Sequence, residues 1–109
     1  MASPVLLVLT TASSRKEAFK IAKALLNKRL AACVNLVPSV TSLYWWKGRQ
    51  QKSPEVLLLI KTKKSALRKV EGSIRKSHSY SVPEILALPV HSAGKSYLNW
   101  LLKEIDTQL

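Results

Sequence analysis

RLAACVNLVPSVTSLYWWKGRQQKSPEVLLLIKTKK, residues Arg29 to Lys64, is the stretch from which the rest of the chain takes its place. Two apolar runs, Ala31 to Trp46 and Val56 to Ile60, flank a polar tip, KGRQQKSP, whose Gly48 and Pro54 are turn formers. The pattern is that of a long β-hairpin. Its first arm, at about 3.3 Å per residue, would span roughly 50 Å, more than the width of a domain of this size. Pro38 cannot donate a ladder hydrogen bond, so a bulge or bend is expected near Val37 to Ser39. The second half of the arm, VTSLYWW, then projects past the core. Val40, Leu43, Tyr44, Trp45 and Trp46 held in water would invite aggregation, and another copy of the chain is their natural cover.

Composition narrows the class. The 109 residues suit one domain spanning 1–109, large enough for a core without disulfides or a structural metal. Apolar runs stop at about six residues, well short of the ~20 a transmembrane helix needs, so no transmembrane segment is expected. The opening MASPVLLVLTT has neither a basic leader nor a small-residue cleavage site and reads directly as a strand, which points to a cytoplasmic protein. The single cysteine, Cys33, allows no internal disulfide and is expected as a small buried residue of an apolar strand. Eighteen Lys and Arg against six Asp and Glu leave a net charge of +12, which attracts polyanions nonspecifically through long-range fields. Most of that charge sits at helical spacing, as a solvated helix face would.

Outward from the hairpin, Val5 to Leu9 is a continuous apolar run suited to a central strand. Ser14-Arg15-Lys16-Glu17 fits a capping box, and Ala18, Ile21, Ala22, Leu25 and Leu26 share one face of a helix over 14–29. Ser65 is placed to cap a second helix over 65–77, with Leu67, Val70 and Ile74 inward and Gly72 weakening it. Ile85 to Val90 reads as a fourth strand, and Ser96 as the cap of a third helix whose Leu98, Leu101, Leu102 and Ile105 face the core. The predicted fold is therefore α+β: a ferredoxin-like β-α-β-β-α-β sandwich with an extra C-terminal helix and a long hairpin between the second and third strands. In this topology the first and third strands are central. The fourth, ILAL, would be an apolar edge, a second reason to expect self-association.

Several segments, in order, resemble the CutA divalent-cation tolerance family: KRLAACVNLVPSVTSLYWWKGR, EVLLLIKT, H-x-Y-x-VPEILALPV from His78, and Tyr97-Leu98-x-Trp100. The resemblance covers nearly the whole chain. It implies a ferredoxin-like homotrimer built through hairpin arms and sheet edges, a role in tolerance of copper or other divalent cations, and in animals a link to acetylcholinesterase anchoring. It also implies a ligand-binding cleft at the subunit boundary, with Lys61, His78, Tyr80 and Glu84 joined by Tyr44 and Trp46 from the arm. No cofactor is required on this reading, although a divalent metal ion such as copper could be weakly bound, or a small anionic ligand taken at the cleft. Family positions linked to copper fall at Thr10, Ser77 and His78, of which only His78 keeps a metal-ligating side chain.

Each of these residues also has a plain structural reading. His78, Tyr80 and Pro83 can shape the lead into the fourth strand, Glu84 can pair with Lys61, and Trp45 and Trp46 can pack an interface. Two other functional classes compete with a non-enzymatic binding protein. RNA-reading ferredoxin-like domains stack bases on aromatic residues of the central strands, and VLLVL and VLLLI carry none, leaving only nonspecific adhesion of nucleic acid or other polyanions to the basic surface. An acylphosphatase-like hydrolase needs an arginine within a glycine-bearing phosphate loop, whereas TTASSRKEA offers Arg15 without the glycine.

Overall fold

The computed structural model describes residues 3–108; Met1 and Ala2, which open the segment read for a leader, lie outside them. The elements are β1 (Val5–Ala12), α1 (Arg15–Asn27), β2 (Cys33–Trp46), β3 (Arg49–Lys63), a short 3-10 turn (Lys64–Ala66), α2 (Leu67–Ser77), β4 (Leu86–Pro89) and α3 (Lys95–Glu104). The strands form one antiparallel sheet in the order β2-β3-β1-β4, so the two most apolar runs are central, as expected. One face of the sheet supplies Val8, Val56, Leu58 and Ile60 to a core closed by Ile21 and Leu25 of α1, Val70 and Ile74 of α2, and Leu101 and Ile105 at the end of α3. The opposite face is apolar but only partly covered. Leu7, Leu9, Leu57 and Leu59 are half-buried there, while Leu86 and Leu88 of β4 are exposed.

The hairpin departs from its expected shape in one respect. Its turn is only Lys47-Gly48, with φ of 51° and 76°, the doubly positive pair of a type I′ connection, and Trp46 pairs directly with Arg49. The rest of the expected tip, residues 49–54, continues β3 as strand. Pro54 fits there because β1 ends opposite Val56, which leaves the outer side of β3 open at the proline. Between Val37 and Val40 the partners advance only from Leu57 to Glu55, so β2 carries one extra residue. This is the bulge that Pro38 predicted, and Ser39 takes a φ of 64° to make it.

Several smaller expectations are corrected. The second helix begins at Leu67 after the 3-10 turn, with no side-chain cap from Ser65, and the third begins at Lys95 with Gly94 at its cap position in place of Ser96. The first helix spans Arg15–Asn27, and Leu26 is exposed because the inward stripe is complete with Leu25. Cys33 is half-buried on the sheet face away from α1 and α2, beside Lys61 and Asn35. The fourth strand is the shorter Leu86–Pro89, paired only with β1.

Candidate functional site

Where the projecting arm leaves the body, the segment after α2 folds across the end of the sheet. The N-terminus of α1 fixes it. Ser14 Oγ accepts the Glu17 N–H at 3.1 Å, the cap predicted from the sequence, and the Glu17 carboxylate accepts the N–H of Ser13 at 3.3 Å. Its second oxygen accepts the N–H of Ser79 at 3.2 Å, so the side chain that closes the helix cap also ties down the following segment. Burial pushes the Glu17 carboxyl up, but the hydrogen bonds from Ser79 and Ser13 and the nearby His78 outweigh this, leaving it below the ordinary carboxylate value.

His78 is held by geometry that settles its tautomer. Nε2 lies 2.6 Å from the Thr11 carbonyl oxygen, which can only accept, so Nε2 carries the proton. Nδ1 then accepts the Tyr80 N–H at 3.1 Å. The side chain is 0% exposed, and its ring lies 4.6 Å from that of Tyr80. With both ring nitrogens engaged, His78 aims the next residue but one: Tyr80 reaches over the sheet and donates its hydroxyl to Glu55 Oε2 at 2.8 Å. Burial first, and then the Glu55 carboxylate, push the Tyr80 phenol up to about 12. Glu55 itself is only 8% exposed, a carboxylate withdrawn from water at the point where β3 leaves the body for the arm.

Around this pair lies a cleft of about 340 Å3 lined by Thr11, Tyr44, Trp46, Glu55, Tyr80, Ser81, Val82 and Glu84. Strand alternation places Tyr44 and Trp46 on the same face of the arm, and the Tyr44 hydroxyl meets Ser53 Oγ at 2.8 Å across the ladder. Of the six residues singled out from the sequence, Tyr44, Trp46, Tyr80 and Glu84 thus line one cleft, and His78 supports it from behind. Lys61 is elsewhere. It sits six residues from Glu55 along β3, about 20 Å of strand, with its Nζ donating to Asn35 Oδ1 and 3.9 Å from Cys33 Sγ. No pairing of Lys61 with Glu84 is present among the described residues, and a small anion at the cleft would have no cation from this lysine. The residue missed by sequence reading is Glu55. Its signal was an acid immediately before an apolar strand, in SPEVLLLI, left between the expected tip ending at Pro54 and the strand expected from Val56.

Metal-ligating groups do not converge. Among the described residues no three of His, Cys, Asp and Glu are placed to hold an ion. Both His78 nitrogens are committed, Cys33 lies with Lys61, His91 is exposed in the segment after β4, and Thr10 is fully buried. These donors do not fit a resident transition-metal centre. In the segment set against a phosphate loop, the Ser13 and Glu17 N–H groups are already bonded within the capping arrangement. No described helix is long and apolar enough to cross a membrane.

The sequence model of the CutA1 divalent ion tolerance protein family matches residues 6–104. The divalent-cation tolerance protein CutA of Thermus thermophilus is 48% identical over 94 residues, covering 86% of this chain and 91% of that protein. The chloroplastic protein CutA 1 of Oryza sativa is 39% identical over 98 residues, 90% of this chain; the chain spans about half of that longer protein, 55% of its length. Among solved structures, the divalent cation tolerance protein (Cut A1) from Thermus thermophilus superposes with a TM-score of 0.91 at 44% identity, covering 94% of this chain and 99% of the other.

Proposed function

This chain belongs to the CutA1 divalent ion tolerance protein family, and from that premise we propose that it is a non-catalytic binding protein that takes cations weakly at the Tyr80 cleft of a homotrimer. The observation carrying this reading is where the acids are. In a chain with eighteen basic and six acidic residues, two of the acids, Glu55 and Glu84, line one aromatic cleft. The exposed Glu84 carboxylate, with the buried Glu55 behind it, suits a divalent cation that keeps most of its water, held as cargo and readily released. His78 serves in this reading by orienting Tyr80. A copper or zinc ion bound by its ring would have to displace either the Thr11 carbonyl or the Tyr80 N–H.

Assembly as a trimer is supported by the uncovered surface. Leu43 is 77% and Trp45 69% exposed on one face of the arm, and β2 and β4 each present an unpaired outer edge. Trimeric closure would remove those edges without leaving a free end. The test combines two measurements on the purified protein. Zinc titration by calorimetry at low salt should give a weak site, at best micromolar, whose affinity falls about tenfold in Glu84→Gln; unchanged affinity in that variant would remove the cleft from consideration. Light scattering should give roughly 37 kDa, three times the 12.2 kDa chain, and a monomer would sink the trimeric part of the reading.

A further inference from the structure

The helical layer carries a second concavity that shares no lining residue with the cleft. On α2, Lys69, Gly72, Ser73 and Lys76 follow the three-and-four spacing of one helical stripe. Facing that stripe are Lys28, the cap residue of α1, then Leu30 and Asp106, and together these seven residues line a depression of about 360 Å3. Its far wall is fixed by the backbone. The Leu30 N–H bonds to the Leu25 carbonyl at 2.9 Å, the Asp106 N–H bonds to the Arg29 carbonyl at 3.0 Å, and the Arg29 guanidinium clasps Glu104.

Two features of the depression are left unexplained by folding alone. Ser73 is 6% exposed, and its Oγ has no hydrogen-bond partner, although a helical serine can return its hydroxyl to the preceding turn. Gly72 has no positive φ, and a Cβ built on it would meet nothing within 4 Å, so neither backbone conformation nor packing calls for glycine there. What the glycine does is keep the space between Lys69 and Lys76 empty. Lys28, Lys69 and Lys76 form no salt bridge among the described residues, and Asp106 Oδ1 accepts the Gln108 N–H at 2.9 Å. Three ammonium groups and one carboxylate give the walls a net charge of +2, that is 3 − 1.

We propose that this depression is a binding site for a phosphate-bearing small anion, with Lys28, Lys69 and Lys76 neutralising a dianionic group and the Ser73 hydroxyl supplying a short-range donor. Charge alone would hold phosphate anywhere on a +12 surface; a bare floor and an unsatisfied buried hydroxyl beneath three lysines define one place. The site lies on the helical side, so assembly through the edges of β2 and β4 leaves it open.

Calorimetric titration of the full chain with inorganic pyrophosphate tests this, alongside thermal denaturation of each variant. Gly72→Glu replaces glycine by a better helix former and sets a carboxylate one turn before Lys76, so its thermal midpoint should equal or exceed the parent's while pyrophosphate affinity falls at least about tenfold. Ser73→Ala should likewise keep its stability and bind about threefold or more weakly. Lys20→Gln/Lys23→Gln removes two charges from the exposed face of α1 and should change affinity by less than about twofold. Equal losses in that control and in Lys69→Gln/Lys76→Gln would show diffuse attraction and overturn the proposal. So would Gly72→Glu binding pyrophosphate like the parent, or a loss confined to single-stranded oligonucleotide binding, which would mark the face as a nucleic-acid surface.

Discussion

The Tyr80 to Glu55 hydrogen bond is the contact on which the cleft depends, because it brings a segment after α2 onto a buried carboxylate of β3. Tyr80→Phe keeps the ring and removes the donor, stranding Glu55; a loss of about 1–3 kcal/mol is expected in denaturant unfolding. The same substitution gives a spectroscopic check. Since the folded protein holds the Tyr80 proton up to about pH 12 and the unfolded chain releases it near 10, this group's stabilisation is complete below pH 10 and is lost as pH rises from 10 towards 12. Ultraviolet titration should show one late-ionising phenol that vanishes in Tyr80→Phe. Glu17 works in the opposite direction: its lowered pKa means a contribution complete above pH 4.5 and lost as pH falls below that value. Glu17→Gln should therefore flatten the acid limb of the stability profile. At this scale the sequence was half legible. The S-x-x-E pattern announced the cap, because capping is local, but nothing local reveals that Glu17 also holds Ser79, or that His78 spends both nitrogens on main-chain groups 67 and 2 residues away.

Among the elements, periodicity read true wherever burial was one-sided. The helical stripes of α1 and α2 fall on the core, Leu26 excepted, and the continuous apolar runs of β1 and β3 take the central positions of the sheet. It failed at the end of the hairpin because residues 49–54 are polar for lack of anything to cover them, and polarity there resembles a loop. The type I′ turn makes a sharp demand on its second residue. Gly48 stands at φ 76° with open space where a Cβ would be, so Gly48→Ala suffers backbone strain without a clash and should cost about 1–2 kcal/mol. Gly72→Ala should do the reverse. With no positive φ and no steric obstacle, it should stabilise the chain by about 1 kcal/mol in thermal unfolding. The two glycines thus separate a conformational requirement from a need for space.

For the whole molecule, net charge and exposed apolar surface pull in different directions. The +12 chain repels its copies, yet Leu43, Trp45, Leu86, Leu88 and Val82 remain largely uncovered in one chain. Surface charges are screened beyond about 8 Å at physiological salt, whereas burial of apolar area is not, so association should strengthen as salt rises from very low values. Sedimentation across a salt series measures this, and Leu43→Ser/Trp45→Ser should shift the protein to smaller species. Tyr44 and Trp46, named from the sequence both within the apolar arm and among the cleft residues, line the cleft, and which face of the arm carries them follows from the one-residue bulge only once the register is known. That bulge has a mechanical consequence. Beyond it the arm runs seven residues from Val40 to Trp46, a lever of about 23 Å pivoting on Pro38 and Ser39. Tilting such a lever by about 10° carries its tip about 4 Å sideways, nearly the 4.8 Å between neighbouring strands. Two residues at the pivot, far from the tip, can therefore set which rung of a neighbour's ladder the arm meets.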